Sequence, residues 1–300
     1  MILTVEIEIR FIILLFKEIN LIQRIYITKI YLKKFYKMKD YGKVSIITPN
    51  YNCAQFVVET IRSIQAQTYS NWELLVVDDC STDDGYQILL SEAEKDKRII
   101  VLQNEKNSGA AISRNYAMRE ASGRWMAFLD SDDLWEPNKL ERQLAYMDKN
   151  NYVFSYTNSV YVDENGNPLN ITETGPMKVG YGLLLLFNFL STCSVIYDRE
   201  RIGLIQIADI KKRNDYAIWL KASKKARCYL LAEDLTRYRI RTSGNLSGKS
   251  KGLFGQRSLL RDHYILFRKS EEFNPVISVL LVILNLFGYV VKKVKYIKQT

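Results

Sequence analysis

A chain of 300 residues that is 47% hydrophobic and 25% charged buries a sizeable core in one large domain or two modest ones, so it is a folded globular protein. Its 43 Lys and Arg against 33 Asp and Glu favour a polyanion, an anionic membrane surface or a diphosphate ligand, without choosing among them. One histidine, His263, and four scattered cysteines, Cys53, Cys80, Cys193 and Cys228, with no C-x-x-C pair argue against Ser-His-Asp chemistry, histidine-rich or zinc sites and a disulfide framework. Acid–base work therefore falls to carboxylates, and a reducing cytosol is the expected compartment.

The first 40 residues differ in texture from the rest. An apolar run at 11–16 is bracketed by Arg10 and Lys17 and followed by Arg24, Lys29, Lys33, Lys34, Lys37 and Lys39 among aromatics. The run is too short to span a bilayer, and Glu6 and Glu8 stand where a signal peptide carries its basic start. Two readings follow: a basic amphipathic arm that touches membrane, or a segment foreign to the native protein, with Met38 as the true start. We expect the second, which an intact mass from the native host decides.

From Lys43 onward, strand and helix alternate. A β-rich run at 44–48 ends at Pro49, and residues 54–67 carry Phe56, Val57, Thr60, Ile61 and Ile64 at helical spacing. A second apolar strand at 74–77 ends in Asp78, Asp79 and the turn-forming residues 81–85. Residues 86–95 read as helix, 99–103 as strand, 110–121 as helix after Gly109, and 125–129 as a fourth strand. Such alternation implies a parallel sheet with right-handed crossovers. Three of these strands then end on one edge, which brings 49–52, 78–81 and 130–133 to a single pocket.

The most informative stretch is Phe128-Leu129-Asp130-Ser131-Asp132-Asp133, three carboxylates directly after an apolar run that suits a strand covered on both faces. Open α/β sheets hold ligands just beyond the carboxyl ends of their strands. Carboxylates gathered there repel one another unless a cation lies between them, so Asp-x-Asp suits Mg²⁺ or Mn²⁺ carrying a substrate diphosphate. A helix N-cap accounts for Asp133 as well, given Pro137 in the next turn. Beyond Asn150 the signal thins: 163–168 reads as a hairpin turn, 179–190 is strongly apolar, and 215–225 is a helix with Ile218, Trp219 and Ala222 on one side.

Taken in order, these segments resemble the family-two inverting glycosyltransferases of GT-A fold, of the bacterial surface-polysaccharide type. The resemblance rests on the run 44–52, Gln67-Thr68-Tyr69, the run 73–83, Asn107-Ser108-Gly109 with Arg114-Asn115, and Leu129-Asp130-Ser131-Asp132-Asp133, and spans about 44–241. It implies a Rossmann-like, mostly parallel α/β sheet flanked by helices over 41–245, with a nucleotide-binding half at about 41–135 and an acceptor half at about 136–245. A C-terminal helical, membrane-associated segment at 246–300 follows. Pro49 and Tyr51 match positions that cup the nucleobase, where an aromatic offers a stacking face. Asp79 matches the carboxylate that accepts from base or ribose. Arg114, read as opening the helix after Gly109, is expected to face phosphate together with the helix amides. Asp130 and Asp132 match the Asp-x-Asp whose Mn²⁺ or Mg²⁺ bridges the donor diphosphate, and Asp130 also counts among the nucleotide-sugar contacts.

Inversion at an anomeric carbon needs one base to take the acceptor hydroxyl's proton. The segment Arg213-Asn214-Asp215-Tyr216-Ala217-Ile218-Trp219 looks like the family's acidic pair followed by Trp, which makes Asp215 the base and leaves Asn214 in place of the first acid. As structure alone, Asp215 also suits a helix cap. Thr192-Cys193-Ser194 resembles the small-residue strand of the acceptor pocket, and Arg237-Tyr238-Arg239 with Ser247 resembles a late basic segment closing over the diphosphate. Asn50 replaces a more usual Thr, keeping its polarity and turn propensity.

The nearly continuous apolar segment 276–291 is followed by Lys292, Lys293, Lys295 and Lys298. As helix it rises only about 24 Å, short of the roughly 30 Å hydrocarbon core, so it is expected to lie in the interface with its lysines toward an anionic cytoplasmic leaflet. A helix packed on the core is the plain alternative. The expected enzyme is a metal-dependent hexosyl- or N-acetylhexosaminyltransferase, peripheral at the inner face of the cell membrane and without a nucleic-acid partner. It moves a sugar with inversion from a nucleotide donor, UDP-linked, to a glycan or lipid-linked oligosaccharide. The rival from another class is a catalytically silent partner subunit that binds sugar nucleotide or glycan, hinted at by Asn214. A nucleotidyltransferase wants a Gly-rich basic loop where Asn50-Tyr51-Asn52-Cys53 stands, and neither the P-loop nor the dinucleotide-binding glycine motif occurs.

Overall fold

Four apolar runs build the parallel half of one sheet. Strands β1 (Val44–Asn50), β2 (Trp72–Asp78) and β4 (Trp125–Phe128) are buried at every position except Pro49, as strands covered on both faces must be. The edge strand β3 (Ile99–Gln103) is partly exposed. Strand β1 runs parallel to β2, with Val44 beside Trp72 and Asn50 beside Asp78, and parallel to β4, with Ile47 beside Phe128. Successive residues serve opposite layers: Ile47, Leu75 and Phe128 pack with helix α3 (Ala110–Glu120), while Ile46, Leu74 and Ala127 pack with α1 (Val57–Gln65) and α2 (Gly85–Lys95). A computed structural model of the protein describes residues 39–241 and 253–299. The arm at 1–38 and Ser247 lie outside the described residues.

The second half is mixed. It comprises β5 (Leu134–Trp135), α4 (Lys139–Asn150), the hairpin β6 (Phe154–Val162) and β7 (Pro168–Glu173), β8 (Lys178–Val179), α5 (Tyr181–Leu186), a short 3₁₀ turn at Thr192–Ser194, β9 (Ile196–Asp198), α6 (Arg199–Ile202), α7 (Asn214–Lys225) and β10 (Cys228–Arg239). Strand β9 enters antiparallel between β4 and β6, and with the last strand, β11 (Ile297–Gln299), the sheet reads β11-β7-β6-β9-β4-β1-β2-β3, with β10 pairing β5, β6 and β8. This is the mostly parallel α/β sheet flanked by helices that the motifs implied. One expectation needs correction. Thr192-Cys193-Ser194 is a 3₁₀ turn rather than a strand. Of the late basic segment, Arg237 and Arg239 belong to β10, and Arg239 is 1% exposed.

Helix α8 (Leu253–Lys269) leads into α9 (Pro275–Lys295), which Asn274 caps by accepting from the Ile277 amide at 2.9 Å. With 21 residues, α9 is longer than the apolar run and rises about 31 Å, so length alone does not exclude a bilayer crossing. Its two ends do. Strand β11 (Ile297–Gln299) follows at once and pairs antiparallel with β7, Ile297 beside Glu173. A crossing helix would carry β11 away from the sheet. Instead α9 lies along α5 through Asn285, whose Nδ2 donates to the Leu185 carbonyl at 2.7 Å, and through Gly288, where an added Cβ would meet the Leu186 carbonyl oxygen at 2.5 Å. Its other face exposes Val276, Phe287, Val290 and Val294, each more than half accessible.

At the far end of β2 from the motifs, Glu73 is 4% exposed and accepts from Lys43 Nζ at 2.7 Å, Ser45 Oγ at 2.6 Å and the Ser122 amide at 2.7 Å. Burial raises its pKa, but these donors outweigh burial and hold the carboxyl at about 2. A depressed folded-state value means stability present above the ordinary 4.5 and lost as pH falls toward about 2. Glu73→Gln is accordingly expected to cost about 2 kcal/mol at pH 7, with the gap to wild type closing in acid unfolding curves taken below pH 4.

Candidate active site

Three strand ends meet at one edge. The Leu129 amide donates to the Ile47 carbonyl at 3.2 Å, so the chain leaves β4 beside β1, while Asn50 leaves β1 beside Asp78. Strands lie about 4.8 Å apart, which puts the exits of β2 and β4 about 10 Å from each other across β1. Asp78 is fully buried and occupied: Asn50 Nδ2 donates at 2.9 Å, Ser81 Oγ at 2.6 Å, the Ser81 amide at 3.0 Å and Gln103 Nε2 at 3.3 Å. These bonds lock the rim. Between them Tyr51 stands 48% exposed beside half-buried Pro49, with Asn52 in a left-handed turn (φ 48°) whose Oδ1 accepts from the Thr82 amide at 2.7 Å.

Asp79 is 3% exposed. Its oxygens accept from Asn104 Nδ2 at 2.7 Å, the Ser108 amide at 2.8 Å and the Gly109 amide at 2.7 Å. It therefore straps down the loop that starts α3, where Gly109 holds φ 89°, a conformation that costs glycine little. Arg114 departs from expectation. It lies one turn into α3 rather than at its mouth, 5% exposed, with Nη2 donating to Asp130 and Nη1 to Asn214. Both terminal nitrogens are committed inside the protein, so this guanidinium joins the end of β4 to the head of α7.

Asp130 is 31% exposed on its side chain. Asp132 accepts from Arg241 Nη1 at 3.2 Å, both side chains 18% exposed, and burial together with the Asp130 charge raises its pKa. Asp133 lies behind. Its Oδ1 accepts from the Arg239 amide at 2.9 Å while Oδ2 is buried without a partner, and burial, then Asp132 and Asp130, push its carboxyl well above the usual range. The loop is held from below by Thr60 Oγ1, which donates to the Ser131 and Asp133 carbonyls at 3.0 and 2.9 Å, and by Arg239 Nε on the Asp132 carbonyl at 2.7 Å. Burial and then the Asp132 charge raise the Cys53 thiol to about 12, so it stays protonated.

Asp215 is the second residue of α7, half-buried, and its Oδ2 accepts from Thr192 Oγ1 at 3.2 Å. The helix is entered through Arg213 in a left-handed conformation (φ 61°), and the Ala217 amide closes onto the Arg213 carbonyl at 3.0 Å. The carboxylate thus faces the Thr192 turn.

A family model described as Glycosyl transferase family 2 matches residues 45–198, just over half of the chain. The chain belongs to glycosyl transferase family 2. It is 38% identical over 227 residues to TuaG of Bacillus subtilis (strain 168), provisionally named a teichuronic acid biosynthesis glycosyltransferase, covering 74% of this chain and 90% of that one. It is 39% identical over 230 residues to the Escherichia coli UDP-Glc:alpha-D-GlcNAc-diphosphoundecaprenol beta-1,3-glucosyltransferase WfgD, covering 75% and 87%. S. aureus TarS 1-349, solved in complex with UDP-GlcNAc, superposes with a TM-score of 0.59 at 21% identity over 81% of this chain and 71% of that one, which shows the shared GT-A fold.

Glycosyltransferases of this fold generally use a divalent metal, and the residues present fit one. Asp130 and Asp132 share one loop, their charges raise the pKa of the carboxyl behind them, and the orphaned Asp133 Oδ2 marks an electrostatic deficit there. Among the described residues no three His, Cys, Asp or Glu side chains form a cage. Mg²⁺ in particular is commonly held by one or two carboxylates with substrate phosphates completing the shell. Sequence reasoning missed Arg241, the cation that faces Asp132, because nothing in its neighbourhood distinguishes it from the arginines at 237 and 239.

Proposed function

We propose that this glycosyltransferase moves a sugar with inversion from a UDP-linked donor to a lipid-linked oligosaccharide or growing glycan in bacterial cell-surface polysaccharide synthesis. The observation that carries the reading is the Arg114 bridge, which sets Asp130 of the Asp-x-Asp loop and the Asn214-Asp215 head of α7 at one rim. Tyr51 and Pro49 cup the base, and Asp79 accepts from base or ribose through its remaining lone pairs while holding the α3 loop. Arg114 serves the donor by orienting Asp130. Asp130 and Asp132 would hold Mn²⁺ or Mg²⁺, whose Lewis acidity stabilises the departing nucleotide by several kcal/mol. Asp215, aimed by Thr192, takes the proton from the acceptor hydroxyl. The UDP donor and the diphospholipid acceptor are argued from the names of the E. coli relatives WfgD and WfaP.

The test is a donor panel scored by nucleotide release, with Mn²⁺ against Mg²⁺. Transfer from one UDP-sugar is the expected result, and tight nucleotide binding without turnover would favour the silent partner subunit instead.

We further propose that the exposed face of α9 seats the enzyme on the cytoplasmic leaflet, as basic amphipathic helices do. Wild type is expected to sediment with phosphatidylglycerol vesicles. Phe287→Asp with Val290→Asp is expected to stay in the supernatant with nucleotide release intact, and equal sedimentation of both would remove the membrane role.

A further inference from the structure

A cavity of about 630 Å³ opens between the 209–212 loop and α8, and it shares no lining residue with the strand-edge site. Lys211, Lys212, Arg261 and Lys269 face it, against Asp209 and Asp262. Lys212 lies 3.5 Å from Asp262, whereas Lys211, Arg261 and Lys269 form no ion pair among the described residues. Four cations against two acids leave an excess of positive charge around one void, and a multiply charged anion offsets the repulsion among them.

Position narrows the anion. The lysine-bearing loop runs through Arg213 directly into Asp215, so Lys211 and Asp215 are at most about 14 Å apart along the chain. On its other side α8 meets α9, where Leu260 and His263 share a small apolar cavity of about 60 Å³ with Val282, Leu286 and Tyr289. The basic cavity thus lies within reach of the proposed base and against the helix that carries the exposed apolar face. Ile210 and Ile265 add an apolar wall inside it.

We infer that this cavity binds the diphosphate of a prenyl-diphosphate-linked acceptor, leaving its sugar at Asp215 and its hydrocarbon tail toward α9. The inference rests on the acceptor reading above. A single pyranose separates a diphosphate from the hydroxyl to be glycosylated, so both groups must be gripped within one sugar's length, and guanidinium and ammonium groups are the natural holders of phosphate oxygens.

The experiment compares wild type with Arg261→Glu/Lys269→Glu, two exposed positions on α8, after matched melting curves establish folding. Farnesyl diphosphate is titrated by calorimetry with saturating UDP and Mn²⁺, which keeps the donor site filled. Wild type is expected to bind it, and the double variant to bind at least about tenfold more weakly, as loss of two charge-assisted contacts requires. No binding by wild type, or equal binding by both proteins, overturns the inference. Inorganic pyrophosphate binding as tightly as farnesyl diphosphate overturns the lipid assignment. In turnover, KM for GlcNAc-diphosphofarnesol is expected to rise while that for octyl N-acetylglucosaminide does not, and equal changes in both count against it. If wild type glycosylates neither acceptor yet binds farnesyl diphosphate through Arg261 and Lys269, the functional reading fails and the cavity assignment stands.

Discussion

Asp215→Asn is expected to lower kcat for transfer about a thousandfold, the middle of the range for losing a general base, while the KM for the donor stays put. The substitution is nearly isosteric. An amide oxygen still accepts from Thr192 Oγ1, and the helix entry at Arg213 uses backbone groups only, so neither the fold nor the position of the side chain should change. What disappears is the capacity to take a proton. Because Asn214 already accepts from Arg114, the bridge to Asp130 survives as well, which isolates the chemical step from donor binding. The measurement is steady-state transfer with separate donor and acceptor titrations. A variant that retains more than a tenth of wild-type kcat would place the base elsewhere, and one that loses donor affinity would mean Asp215 serves the nucleotide rather than the acceptor.

How far such residues were visible beforehand depends on what positions them. Strands β1, β2 and β4 are buried on both faces, so each is a continuous apolar run whose end is marked by the first polar residue. The motif edge was legible for that reason. Strand β10 is the opposite case: it alternates, carries bulges between Leu231 and Asp234 and between Asp234 and Thr236, and holds arginines at its end. Arg239 is buried because Glu59, 180 positions earlier in the chain, meets its Nη2 at 2.6 Å. No local pattern announces such a partner. Arg114 was found by its motif, but its contacts to Asp130 and Asn214 were not, since the motif reports the residue and not the direction in which the helix turns it. The end of α9 was misjudged because Lys292 continues the helix while pairing with Glu173 and the Asn188 carbonyl, so charge there ends the apolar run without ending the helix.

The same contrast between local pattern and distant partners governs Asp132, where function and stability pull in opposite directions. Its carboxyl is raised by burial and by Asp130, so the folded protein binds this proton more tightly than the unfolded chain does. By linkage, stability from this group falls as pH rises from the ordinary carboxylate value through the shifted one. Asp132→Asn removes the carboxylate's charge and still offers an oxygen to Arg241. The apo variant is therefore expected to melt above wild type at pH 7.5, with the difference shrinking at pH 5. A divalent cation reverses the order. Mn²⁺ should raise the melting temperature of wild type at pH 7.5, less so at pH 5 where protons compete for the same oxygens, and should leave Asp132→Asn nearly unmoved. Transfer by the variant is expected to fall about a thousandfold, the scale set by several kcal/mol of leaving-group stabilisation. A variant that keeps its Mn²⁺-dependent melting shift would show that the ion is gripped without Asp132, and the two carboxylates of the loop would then need different roles.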